Sequence, residues 1–179
     1  RRFWALFRGN FCHKRGLVKN NIDIVTAIED KKLFGALFKD QKTWATWKVF
    51  LRAVFALPMD KKELAIYKQY TGRKKPPKNQ FNEIYAIVGR RGGKSFITAV
   101  VACYLALFKD WTPYLAPGES GWIMVIASEK NQARVILGYI RAILNLPIFK
   151  NMVNKELSQE IQLNNQVIIS IKTADYRSL

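Results

Sequence analysis

Acidic side chains are scarce in this sequence. Thirteen Asp and Glu stand against 30 Lys and Arg, leaving a formal net charge of +17. Such an imbalance excludes a taste for cationic partners and points to a polyanion, either nucleic acid or an acidic membrane surface. A merely solvated basic face is the bland alternative. Histidine occurs once, so a histidine-based triad would have to be built on His13. Cysteine occurs twice, at Cys12 and Cys103, without the spacing of a metal site. Cys12-His13 alone is not a site, Cys103 reads as packing inside an apolar run, and this usage suits a reducing compartment. Long apolar runs are missing too. The longest, Phe96 to Phe108, contains Thr98 and falls short of the roughly 20 residues that a membrane helix needs. No signal cleavage site follows the basic, aromatic opening Arg1–Arg8. There is no internal repeat and no low-complexity segment. The chain opens on Arg1 rather than Met and stops at Leu179, as expected of a piece of a longer protein.

What is present is organised around Val88-Gly89-Arg90-Arg91-Gly92-Gly93-Lys94-Ser95. The hydrophobic run Ile84–Val88 precedes it and a long apolar run from Phe96 follows, so the order reads strand, glycine-rich turn, helix. A phosphate-binding loop needs this context. Glycines let backbone N–H groups crowd around anionic oxygens, and the helix N-terminus adds a partial positive charge. In such a loop Gly89, Arg90, Arg91, Gly92, Gly93, Lys94 and Ser95 would hold ATP. Lys94 would reach the β- and γ-phosphates and the Ser95 hydroxyl would ligate Mg²⁺. The match to G-x-x-x-x-G-K-[ST] is not literal, because Val88 stands where the first glycine is expected. An ordinary basic turn is the competing reading.

The rest of the chain divides into a basic N-terminal segment (1–40), a helical lead-in (41–82) and a segment built on the loop (83–179). Charge is uneven: residues 1–95 carry 22 Lys and Arg against 7 Asp and Glu, and residues 96–179 carry 8 against 6. Residues 1–22 interleave basic residues with Phe3, Trp4, Phe7 and Phe11, giving a DNA- or partner-binding arm, a tail, or a helix packed elsewhere. Weak helical periodicity runs from Ile22 to Phe38, with a turn at Gly35. Over 43–57, Trp44, Trp47, Leu51, Val54 and Phe55 form one helical face, which Pro58 should stop. The tryptophans are assigned to the core rather than to base stacking. Asp60 and Glu63 make a capping box for a helix ending at Gly72. Thr71–Lys78 is a loop that touches nucleotide or DNA backbone, or is a solvated linker. A buried helix is expected over Ser95–Asp110 and a loop with two prolines over Trp111–Ser120. A strand buried on both faces follows over Trp122–Ala127, then a helix over Glu129–Asn145 capped by Ser128, with Ala133, Ile136, Leu137, Ile140 and Leu144 inward. Two successive βα units argue for an α/β fold with a parallel sheet and crossover helices. Ile161–Leu163 and Val167–Ile171 read as two strands around Asn164-Asn165.

Together these motifs resemble the N-terminal part of the ATPase domain of the tailed-phage terminase large subunit, the DNA-packaging motor. The Gly-Arg-Arg-Gly-Gly-Lys-Ser loop looks like that family's short variant Walker A with an early arginine. Trp44, Trp47, Thr71-Gly72-Arg73 and Pro76-Pro77 resemble its upstream region. Ala116–Glu119 and Ile126–Arg134 resemble the segment after the loop, and Thr173-Ala174 with Arg177–Leu179 the stretch before Walker B. The similarity covers roughly residues 30–179. It implies a P-loop NTPase sheet of the ASCE type preceded by a helical basic segment, and an ATP- and Mg²⁺-dependent translocase of double-stranded DNA. It also implies a homo-oligomeric ring in the bacterial host's cytoplasm, docked on the procapsid with portal protein and small terminase subunit, and no membrane. Arg90, matching the early arginine, would act beside Lys94 in catalysis by stabilising the γ-phosphate, with Arg91 as a second candidate.

One departure is large. No apolar run ending in Asp-Glu follows residue 95, and Glu119, Glu129 and Asp175 do not end apolar strands. The family's C-terminal nuclease cluster is missing as well. The expectation is weak nucleotide binding without turnover by this chain. Two other functions share its features: a helicase-type nucleic-acid-dependent ATPase, and a non-enzymatic basic nucleic-acid-binding module.

Overall fold

The structure is a computed structural model that describes residues 6–8, as backbone, and 22–174. The arm residues Phe3, Trp4, Phe11, Cys12 and His13, and the tail Asp175–Leu179, lie outside the described residues.

Strand β1 (Leu6–Arg8) pairs antiparallel with β2 (Glu83–Tyr85), with Leu6 opposite Tyr85 and Arg8 opposite Glu83. The helical reading of the N-terminal segment is therefore wrong over these residues. The physical reason is backbone satisfaction: β2 lies outside the larger sheet, and Leu6–Arg8 supply the partner its N–H and C=O groups require.

Helix α1 (Ile24–Glu29) is capped by Asp23, whose carboxylate accepts from the Val25 and Thr26 amides at 2.9 Å. A 3-10 turn over Phe34–Leu37 follows. It contains Gly35, where an added Cβ would lie 2.6 Å from the Asp30 carbonyl oxygen. Helix α2 (Ala45–Val54) buries Leu51 and Val54 as its periodicity predicts. It ends before Pro58, because Ala56 turns left-handed at φ 51°. A second face of α2, Val49 and Ala53, packs on Tyr67 of helix α3 (Lys61–Thr71). The α3 start is the expected capping box: the Glu63 amide donates to Asp60 at 2.8 Å and the Asp60 amide to Glu63 at 3.0 Å. Its end is the left-handed Gly72. Arg52 ties the two helices, donating to Glu63 at 2.9 Å and to the Pro58 carbonyl at 3.1 Å.

Helix α4 (Lys94–Phe108) is buried on most sides, with Val100, Cys103 and Ala106 fully enclosed. Strand β3 (Gly121–Ala127), helix α5 (Lys130–Leu144) and strands β4 (Val153–Glu156), β5 (Glu160–Leu163) and β6 (Val167–Thr173) complete the fold. The larger sheet has the order β3-β6-β5-β4, with β3 and β6 parallel and the other pairs antiparallel. Only the long crossover through α5 permits a parallel pair. The connections between β4, β5 and β6 are too short for anything but hairpins. The sheet is thus mixed, not parallel, and β2 is not one of its strands. The chain is nonetheless an α/β protein, with α4 and α5 packed on each other and against β3 and β6.

Two further expectations need correction. Strand β3 is buried on one face only: Val125 and Ala127 are enclosed, whereas Trp122, Met124 and Ile126 are each more than half exposed. An unbroken apolar run usually marks a strand covered twice, but β3 is an edge strand and the described helices lie on one side of it. Ser128 is not the cap of α5. That position belongs to Glu129, without a side-chain cap bond, and the Ser128 hydroxyl meets the Gln132 side chain at 3.1 Å. The inward face of α5 is as read, with Ile143 added. One core cluster joins α1, the end of α2, α4, α5 and the sheet. No described helix is long and apolar enough to cross a membrane.

Candidate functional site

The glycine-rich segment connects β2 to α4, as the sequence order predicts. The strand is shorter than Ile84–Val88, and Tyr85 and Ile87 stand largely exposed, so it lacks the twice-covered environment of a central strand. The turn closes with the Gly92 amide donating to the Gly89 carbonyl at 3.3 Å. Arg91 within it adopts φ 63°, a left-handed conformation costing a non-glycine residue roughly 1–2 kcal/mol.

The three glycines are not equivalent. An added Cβ at Gly92 would lie 2.6 Å from Val88 Cγ1 and 3.2 Å from the Gly89 carbonyl oxygen. At Gly93 it would lie 2.9 Å from the Trp44 ring, on a backbone with φ +80°. At Gly89 it would meet nothing within 4 Å. Bareness is thus required at the two residues nearest the helix.

Gly93 is the N-cap of α4 and offers no side chain to the first-turn amides; no acidic residue lies in that turn. The amides at this end are therefore left to other acceptors, with the positive end of the helix dipole behind them. Lys94 opens the helix, and its ammonium group donates to the carbonyls of Gly89 at 2.9 Å and Val88 at 3.3 Å. Ser95 follows, half-buried, in the same turn. Arg90 and Arg91 are exposed, and neither has an ion-pair or hydrogen-bond partner among the described residues. One short segment thus gathers three cations, open amides and a hydroxyl. Such an arrangement is chemically suited to anionic oxygens rather than to cations.

The loop rests on a bed of aromatic rings that sequence reading did not connect to it. Trp47 Nε1 donates to the Gly92 carbonyl at 2.8 Å. Trp44 lies under Gly93 and packs on Phe96 and Phe38, with ring centroids 5.2 and 5.1 Å away. Phe96 in turn meets Tyr139 of α5 at 5.3 Å. The tryptophans pack against the core while staying only partly buried. Their contact with a loop 45 residues away has no local signature in the chain.

A comparison with known protein families identifies the family of the chain. The model of the terminase large subunit ATPase domain matches residues 65–177, well over half of the chain. The chain belongs to that family. No curated protein and no solved structure was found to match it. Within this terminase ATPase domain the matched range contains β2, the loop and α4. Trp44 and Trp47 lie upstream of the match, although they touch the loop directly. Membership makes the parent protein an ATPase of the DNA-packaging class, and therefore a user of nucleotide.

Proposed function

We propose that this chain binds ATP with Mg²⁺ at Gly89–Ser95 and serves the motor that drives double-stranded DNA into a procapsid. The observation that carries this reading is the loop itself: an uncapped helix start, preceded by two glycines that have no room for a Cβ, with Lys94 as the first helical residue. These residues fit a triphosphate. Gly92 and Gly93 let the backbone approach it closely, Lys94 supplies a charge for the β- and γ-phosphates, and the Ser95 hydroxyl is placed to ligate Mg²⁺. Arg90, exposed and unpaired among the described residues, supplies cationic charge toward the γ-phosphate, with Arg91 as a second candidate. When bound, ATP supplies the phosphoryl group for hydrolysis and Mg²⁺ neutralises its oxygens.

The net charge of +17 and the exposed Arg73, Lys74, Lys75 and Lys78 support contact with the DNA backbone. Arg73 is steadied by the Phe81 ring 5.0 Å away. Contacts of this kind are indifferent to base sequence, as a motor travelling along any DNA requires. The same reading includes a homo-oligomeric ring meeting portal protein and small terminase subunit in the bacterial cytoplasm.

The test is Lys94→Ala, assayed by titration with ATP–Mg²⁺ and separately with duplex DNA. Nucleotide binding should be almost abolished, whereas duplex affinity should fall only by one cation's share and keep a steep salt dependence. Unchanged ATP affinity would refute the assignment of the loop.

A further inference from the structure

Resting on the reading of the loop as a triphosphate site, we infer that Trp47 is a positioning residue for that ligand, acting through the Gly92–Gly93 peptide. Two adjoining glycines form the most easily rotated peptide a chain can contain, because neither carries a Cβ to restrict it. Crowding by Val88 and Trp44 nevertheless demands glycine at both positions. The chain therefore places its least restrained peptide where amide direction matters most, and an outside anchor is needed. Trp47 is that anchor.

Its indole N–H holds the Gly92 carbonyl at 2.8 Å. The described peptides include no cis bond, and in a planar trans peptide the carbonyl and the following N–H point in opposite directions. Fixing the Gly92 carbonyl toward Trp47 therefore fixes the Gly93 N–H away from it. The Trp44 ring fills the space beside the Gly93 α-carbon. The rings of α2 and its lead-in thus keep this amide available for phosphate oxygens. A flipped peptide would offer them a carbonyl, and repel them.

The experiment replaces the donor while keeping the ring. Trp47 is changed to its benzothienyl isostere, in which sulfur takes the place of N–H, and separately by Trp47→Phe. Affinities of the full chain for ATP–Mg²⁺ and for inorganic tripolyphosphate–Mg²⁺ are measured by calorimetry beside thermal unfolding. The expected result is a loss of roughly two- to tenfold for both ligands in both variants, the worth of one net hydrogen bond. Equal loss for tripolyphosphate, which has no base, marks an effect on the phosphate cradle. Wild-type affinity in the isostere overturns the inference, even if its melting temperature falls, since Trp47 would then only support the fold. Loss confined to ATP, or confined to Trp47→Phe, overturns it likewise. If the unaltered chain binds neither ligand, the reading of the loop itself fails, an outcome distinct from all of these.

Discussion

Replacing Gly93 by alanine should be among the most damaging single-methyl changes in this protein. Two independent costs meet there. The backbone is left-handed at φ +80°, which costs an L-residue roughly 1–2 kcal/mol. The new methyl would also sit 2.9 Å from the Trp44 ring. That ring has little freedom to move, being lodged against Phe38 and Phe96 at centroid distances of 5.1 and 5.2 Å. Overpacking of this kind costs typically 1–3 kcal/mol, so the sum is about 2–5 kcal/mol. Gly92→Ala should be less damaging, about 1–2 kcal/mol, because its backbone is not left-handed and the nearest atom belongs to the Val88 side chain, although the Gly89 carbonyl oxygen at 3.2 Å must also give. Gly89→Ala, with nothing within 4 Å, should stay within about 0.5 kcal/mol of the parent. Urea unfolding followed by far-ultraviolet circular dichroism measures all three, with an unchanged slope confirming a common unfolded state. Equal stability of the Gly93 and Gly89 variants, or a reversed order, would refute the view that tryptophan packing dictates the second half of the loop.

Two other outcomes follow from the described contacts. Tyr104 is buried, donates to the Ile22 carbonyl at 3.2 Å, and has its pKa pushed up to about 12, first by burial and then by the charge of Asp23. An acid held protonated by the fold binds its proton more tightly in the native than in the unfolded state. Its contribution is therefore complete below the ordinary tyrosine value of about 10 and is lost as pH rises toward about 12. Stability measured across that window should fall more steeply in the parent than in Tyr104→Phe, and identical slopes would contradict the burial argument. Asp60→Ala should cost ~1 kcal/mol by removing the acceptor for the Glu63 amide. A loss below roughly 0.3 kcal/mol in the same urea assay would show that Asp60 does not hold this helix start.

Features set by neighbouring residues were legible in the chain. The Asp60–Glu63 box, the Gly72 stop, the hairpin around Asn164-Asn165 and the strand–turn–helix order around Lys94 depend on a few consecutive residues, and all are present. Features set by distant partners were not. Nothing local to Val153–Glu156 marks it as a strand; its polar residues become one only by pairing with β5. The run Trp122–Ala127 carries no sign of whether one face or two will be covered, and β3 proves open on one. The approach of Trp47 to Gly92 joins residues 45 apart, and helical periodicity reports only that a tryptophan faces inward.

The bonds from Lys94 to the Val88 and Gly89 carbonyls give the segment an internal knot. On the proposed reading, an arriving triphosphate would meet a cation already occupied, so its gain would be the difference between two sets of partners rather than the whole of a new one. Untying that knot would also release the carbonyls of Val88 and Gly89, the two residues before Arg90. Loading the helix end of the turn and releasing its strand end would then be a single event, in which one side chain trades two backbone oxygens for those of its guest.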